Sequence, residues 1–475
     1  VGQVIFMMGN GGRMRQFFSL GLGLFLFLSC AVAEANFTLP YGTQGNELDV
    51  SVIGAIQPDA QQSADKPANA TAPLILWFTN QYGQVIGEQA LAHALARRGA
   101  TVWMVDLLDS LLLPRSNDAV RDLQGHSVAA LIAAGVKTGH PVTVVGLDRM
   151  AVPILRGLRA WQATTSHTQA VTGAVLLFPN LYRGTPVAGV DPSFLGIVSA
   201  TNMPVMILEP DRGVNRNRLG TLLDALQGAG SATFARIIPD VRDYFPLHLH
   251  TPQNETLKSV AQFMKPQEAV AFQALPAEIL ESSQLLAQAE HPTTVLPLNE
   301  NLEKPIAQQF GLVAVPNTPA PNFALPDLSG HIYRLTGRVV ADRPKVTLVN
   351  FWASWCPHCI EEIPSMKALA EAYPANELQV LSINFKESRA HVAAFIKPFG
   401  VSFPVLIDRQ GDVAAQWGVF AFPSSFLVDA QGRVRYSVNA SIDWNTPQVK
   451  AIINQMIKEQ TSVGVKELKP SPPAK

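Results

Sequence analysis

Cysteine is nearly absent from this chain: three residues among 475, at positions 30, 356 and 359. So few cannot build a disulfide-stapled scaffold, which uses several bridges in a short domain. No second C-x-x-C and no H-x-x-x-H completes a tetrahedral zinc set, so neither a metal nor a cofactor is expected. A basic surplus is missing too. The 36 Lys and Arg residues are balanced by 37 Asp and Glu, for a formal net charge of -1; a nucleic-acid partner would need a positive surface. Long apolar runs are also lacking. The stretch "FFSLGLGLFLFLSC" (17–30) is shorter than the ~20 residues of a membrane-spanning helix.

That stretch follows Arg13 and Arg15 and precedes "AVAEA" (31–35). It reads as the apolar core of an export signal with A-x-A cleavage after Ala33 or Ala35. Residues 1–35 are therefore assigned to a signal peptide. The protein is expected in the periplasm, soluble or, where the signal is retained, anchored to the membrane. Cleavage removes Cys30 and leaves Cys356 and Cys359 as the sole pair. An isolated C-x-x-C in an exported chain points to redox chemistry.

The remaining length exceeds one ordinary core and reads as α/β throughout. Apolar, β-branched runs at 74–79, 101–107, 142–147, 174–179, 204–210 and 234–240 alternate with helical stretches such as "GEQALAHALARRG". This is the pattern of a doubly wound, mostly parallel sheet covered on both faces, and the first domain is set at 36–252. Between 253 and 318 the periodicity weakens among Pro, Asn, Gln and Ala, which reads as a connector with a short helix or two and an extended spacer. A second, smaller α/β unit occupies 319–461, and the tail 462–475 has the composition of a disordered segment.

In the second unit the strand "PKVTLVNFWAS" runs into "WCPHC" and the helix "CIEEIPSMKALAEAY". A cysteine at a helix N-terminus meets unpaired N–H groups and a partial positive charge, which favour the thiolate. Cys356 is then the exposed, attacking sulfur, and Cys359, one turn inward, resolves the mixed disulfide. Pro357 suits the first helical position, and His358 adds a chargeable group beside the thiolate. Both lower the pKa of Cys356 below the free value of ~8.5. A better-stabilised thiolate makes a more oxidising disulfide on a scale spanning roughly 150 mV, and "CPHC" leans toward the oxidising half.

The stretch "VNFWASWCPHCIEEIPSM" resembles the thioredoxin superfamily, and within it the exported TlpA/ResA-like branch. "APNFALPDLSGHIYRL" is similar to the hairpin before that family's core strand, "VFAFPSSFLVDAQG" to its cis-proline loop, and "INFKESRAHVAAFIKPFGVSFPVLID" to its central insertion. Over 319–461 the resemblance implies a thioredoxin fold in which Pro423 is the cis-proline facing the disulfide. A client backbone can pair beside such a proline. Glu387 falls at the position of a buried acid; burial would raise its pKa and let it exchange a proton with Cys359. Asn350 stands where cytosolic thioredoxins carry a buried Asp, which passes proton handling to Glu387. Trp352 and Trp355 are expected to pack around the sulfurs. The implied partners are disulfide-containing client proteins and a membrane or periplasmic electron-transfer partner.

By the order of its elements the first domain resembles the α/β-hydrolase fold, whose G-x-S-x-G elbow presents a nucleophile. Here "VVGLDRMAV" keeps Gly146, puts Asp148 at the serine position and Met150 at the second glycine. Asp211 falls at the acid position, and the histidine position holds Asp243, with His248 and His250 a few residues on. The leading expectation is a thiol–disulfide oxidoreductase whose first domain is a non-catalytic docking module. The alternative is a hydrolase with an accessory redox unit: Asp148 forms an ester as in haloalkane dehalogenases and epoxide hydrolases, with His248 or His250 as base.

Overall fold

Six runs rich in apolar residues, five of them buried throughout, become the parallel strands of one sheet, as their composition requires. They are β3 (Leu74–Phe78), β4 (Thr101–Val105), β5 (Val142–Leu147), β6 (Val171–Leu177), β7 (Val205–Pro210) and β8 (Thr233–Ile238). An antiparallel hairpin, β1 (Glu34–Tyr41) and β2 (Asn46–Ile53), joins the edge beside β4 and gives the order β1-β2-β4-β3-β5-β6-β7-β8. The computed structural model describes residues 33–42, 46–54, 72–184, 191–247, 266–304, 311–335, 344–419 and 421–467. Most of the expected signal, together with His248 and His250, lies outside the described residues.

Side chains two apart along a strand share a face, so the sheet feeds two cores. Leu74, Leu76 and Phe78 enter one, while Ile75 and Trp77 enter the other. The first is covered by α2 (His126–Val136), α3 (Ala151–Gln162) and α4 (Leu219–Gly228); the second by α1 (Ile86–Ala96) and α5 (Pro266–Ala287). Each large apolar side chain buried this way contributes about 1.5–3 kcal/mol. Strand order reverses around β3, the switch point at which doubly wound sheets as a class form a crevice at the carboxyl ends of their strands, here those of β3 and β5.

The described parts of the segment read as a connector cover a face of the first sheet and extend the second. Helix α5 takes 22 residues of it and buries Leu275, Ile279 and Leu286. Its buried Glu268 accepts two hydrogen bonds, 2.6 and 2.9 Å, from Arg242 in the loop after β8. Ser283 meets Thr143 of β5 at 2.6 Å. The supposed spacer also supplies β9 (Val313–Pro319), an edge strand of the second sheet.

That second sheet has the order β14-β13-β12-β15-β16-β9. Its strands are β12 (Val346–Trp352), β13 (Leu378–Phe385), β14 (Val405–Asp408), β15 (Ser424–Asp429) and β16 (Arg433–Val438), with β9 at the edge. A small hairpin, β10 (Ala324–Pro326) and β11 (Ile332–Arg334), precedes β12. Strands β12 to β14 run parallel, and β15, β16 and β9 are antiparallel additions. Helices α6 (Pro357–Ala372), α7 (Arg389–Ile396) and α8 (Pro447–Glu467) complete the unit, so the chain stays helical past 461. The described residues from 33 to 467 form one compact body.

Candidate active site

The central strand β12 delivers the cysteines to the start of α6. Cys356 caps that helix: its Sγ accepts from Cys359 N at 3.2 Å, and Pro357 takes the first helical position. The two sulfurs are bonded, with the Cα atoms 5.3 Å apart. Cys356 is 6% exposed and Cys359 1%. The expectation of an exposed Cys356 is thus corrected, because the loop carries it into an apolar cluster with Trp352, Ala353 and Ile363. It remains the more accessible of the pair.

His358 also departs from expectation. It lies on the solvent side of α6, and its Nδ1 is 3.0 Å from Glu361 Oε2. Trp352 is buried, and the half-buried Trp355 stands edge-on to Phe422 with centroids 5.8 Å apart. The Phe422–Pro423 peptide is cis.

Two buried acids flank the pair, and they differ in charge. Glu387 is 2% exposed. Its Oε2 accepts from Ser354 N at 2.7 Å and Asn384 Nδ2 at 2.9 Å, and its Oε1 from Ser354 Oγ at 2.7 Å. Burial pushes the carboxyl up, but hydrogen bonds from His391, Asn384 and Ser354 outweigh it and bring it down to about 2. The raised pKa expected for Glu387 is therefore overturned: at neutral pH it is an anion that pins the loop before Cys356.

The acid with a raised pKa is Glu362, which the sequence reading passed over. Burial pushes it up to about 7, against hydrogen bonds from Trp444 and Asn350. Asn350 Nδ2 donates to its Oε1 at 2.7 Å, and Trp444 Nε1 to its Oε2 at 3.1 Å. Cys359, Glu362, Ile363, Met366 and Leu369 are the buried positions of α6, spaced as one helical face. A glutamate on that stripe, one turn after Cys359, was the available signal.

Glu387→Gln separates the two roles. A folded carboxyl held near 2 contributes stability that is present above the ordinary 4.5 and lost as pH falls through 2. Removing the charge is expected to cost about 2 kcal/mol at pH 7. That cost should shrink toward pH 3, while the neutral-pH profile of thiol exchange keeps its shape. Urea denaturation of the oxidised protein across this range checks it.

Comparison with known proteins identifies relatives of the second unit. Residues 316–437 match the AhpC/TSA family model. The chain is 35% identical over 158 residues to the thiol-disulfide oxidoreductase ResA of Geobacillus thermodenitrificans, covering 33% of this chain and 80% of that protein. It is 37% identical to the ResA of Geobacillus kaustophilus, over 27% of this chain and 72% of the relative. Its C-terminal third belongs to the ResA-like thiol–disulfide oxidoreductases. The thiol:disulfide interchange protein DsbE of Allochromatium vinosum is 35% identical over 26% of this chain and 67% of its own length. A crystal structure of a putative DsbE from Chlorobium tepidum aligns with 31% of this chain and 99% of its own, at 28% identity and a TM-score of 0.26.

Outside the ResA-like part, the crevice of the first sheet holds Asp148 at the turn from β5 to α3, with a left-handed φ of +50°. A Cβ at Gly146 would come within 2.4 Å of Ile154 Cδ1, so the side chain of Ile154 packs over this position. Asp148 is 3% exposed, and its Oδ2 accepts from Tyr244 OH at 2.8 Å and Arg149 Nη1 at 3.3 Å. Burial and the Asp148 charge raise the Tyr244 phenol well above 10, so it stays a proton donor and cannot serve as a base. Asp211, expected as the acid, is exposed at the end of β7. Glu209 is buried there instead, beside the half-buried Asp243, whose carboxyl burial pushes up to about 6. No histidine bonds Asp148 among the described residues.

Proposed function

We propose that the protein is an exported, periplasmic enzyme that exchanges disulfides with client proteins through Cys356 and Cys359, with Glu362 handling the proton. The observation carrying this reading is the helix-capping Cys356 paired with Cys359, one turn ahead of a buried acid held near neutrality. In the reducing direction the Cys356 thiolate attacks a client disulfide. An S–S bond forms to one client sulfur, and the other leaves as a thiolate that takes up a proton. Cys359 then attacks the Cys356 sulfur, releases the second client thiol and closes the Cys356–Cys359 disulfide. The client gains two electrons, and a dithiol electron-transfer partner must return them. When the disulfide reopens, the buried Cys359 sulfur receives a proton, for which Glu362 is the neighbouring source.

Export rests on the basic and apolar N-terminal stretch with its A-x-A sites. Among the described residues no helix is long and apolar enough to cross a membrane. The first domain is read as hydrolase-like in its strand order and in the positive φ of Asp148, but as non-catalytic. Its carboxylate is held by a phenol and a guanidinium, neither of which can activate water. Its role in this reading is docking. Disulfide exchange with insulin by the reduced protein, and its loss in Cys356→Ser, tests the proposal.

A further inference from the structure

Among the described residues, hydrogen bonds of Lys386 and Arg218 join the redox unit to the first domain, and both reach segments that lead to the disulfide. Lys386 ends β13 in a left-handed conformation (φ +54°), and its Nζ donates to the Asp211 carbonyl at 2.9 Å. Arg218, just before α4, donates from Nη1 to the Val419 carbonyl at 2.9 Å, and its Nη2 lies 3.6 Å from Asp191. Lys386 directly precedes Glu387, which holds Ser354, two residues before Cys356. Val419 lies four residues before Pro423.

Packing continues from the first anchor to the sulfurs. The Lys386 stem lies against Gly411, where a Cβ would meet its Cε at 2.7 Å. Its ammonium sits 5.3 Å from the Phe385 ring centre. Phe385 packs on Phe422 with centroids 4.9 Å apart, and Phe422 on Trp355 at 5.8 Å. On the other side, Glu209 Oε1 and Asp243 Oδ1 are buried without a hydrogen-bond partner, and both carboxyls feel the Lys386 charge. The acids beside the idle hydrolase-like crevice thus face a cation from the redox unit.

We infer that Lys386 and Arg218 are positioning residues through which the first domain holds Phe385–Glu387, Val419 and Ala421–Pro423 in the arrangement that a protein disulfide docks against. This rests on the thiol–disulfide reading above and makes the role of the first domain specific. That domain sets client affinity and leaves the sulfur chemistry to the cysteines. A small disulfide needs no such surface, so the two substrate classes should separate.

The test uses the reduced full chain with two oxidants, insulin and 5,5′-dithiobis(2-nitrobenzoate), followed by tryptophan fluorescence. Lys386→Met and Arg218→Met are each expected to raise the half-saturating insulin concentration about fivefold, within the range that coupling through packed networks spans. The limiting rate and the rate with the small disulfide should stay at the wild-type level. Lys386→Arg, which keeps a donor and a positive charge, should restore insulin affinity. Unchanged half-saturation in both Met variants would overturn the inference. So would an equal loss with both oxidants, which would place the effect on the cysteines themselves. A wild-type protein inert to both would instead remove the thiol–disulfide reading beneath it.

Discussion

Cys356→Ser is expected to lower the rate of disulfide exchange with insulin by at least about a thousandfold, since the nucleophile of a covalent mechanism has no substitute. A serine hydroxyl stays protonated at neutral pH and cannot displace sulfur. The assignment of this cysteine, rather than Cys359, follows from placement. Cys356 caps α6 and is the more exposed of the two, whereas Cys359 lies on the buried face of the helix. The partner variant shows the division of labour. Cys359→Ser keeps the first attack and loses the second, so it should accumulate a mixed disulfide with insulin on Cys356, visible as a covalent adduct by mass spectrometry. Turnover in Cys356→Ser, or an adduct on Cys359, would reverse the assignment.

Glu362→Gln carries the second large effect. A positioned acid or base contributes about 10²- to 10⁴-fold, so reduction of the oxidised variant by dithiothreitol should slow by about a hundredfold. In the wild type the acid form is present below about 7 and lost above it. Corrected for the thiolate fraction of the attacking dithiol, the wild-type rate should therefore fall as pH rises through that value. The variant should show no such inflection. Stability supplies an independent readout of the same group. A folded carboxyl raised from 4.5 to about 7 favours the folded state below pH 4.5, and the advantage is lost as pH rises through 7. Over that interval oxidised wild type should lose about 3 kcal/mol that the Gln variant keeps, at 1.36 kcal/mol per unit. Matching pH–rate profiles would return Glu362 to a purely structural role.

Local signals foretold the elements whose stability is local. Strands β3 to β8 are continuous apolar runs, and the sequence places them within a few residues of where they form. The cysteine helix and the hairpin from β15 to β16 were equally plain, the latter through Gly432 with φ +76°. Helix α5 was hidden because its pattern is diluted by alanine and interrupted by Pro276. It is held by a partner far along the chain, Arg242. The hairpin β1–β2 escaped for a similar reason: β1 is half exposed along its whole length and gains its order from β2.

The acids of the site show the same limit more sharply. Glu387 and Glu362 are both 2% exposed, so burial alone would raise both. What separates them is the donors each meets. Glu387 collects the Ser354 amide and hydroxyl, Asn384 and His391, while Glu362 has Trp444, Asn350 and the Ile442 amide. Ser354 and His391 are 37 residues apart, and the sequence gives no sign that they converge on one carboxylate. The position of Glu362 on the buried stripe of α6 was readable; its charge was not.

The account stands on the Cys356–Cys359 pair being a working redox couple rather than a staple, and its equilibrium reduction potential against glutathione tests that most directly. Working oxidoreductases lie between about -270 and -120 mV, and structural disulfides below about -300 mV. A single reversible two-electron transition inside the working range is the predicted result. A pair that stays oxidised throughout that range would be a structural bridge, and the exchange mechanism built on it would fall.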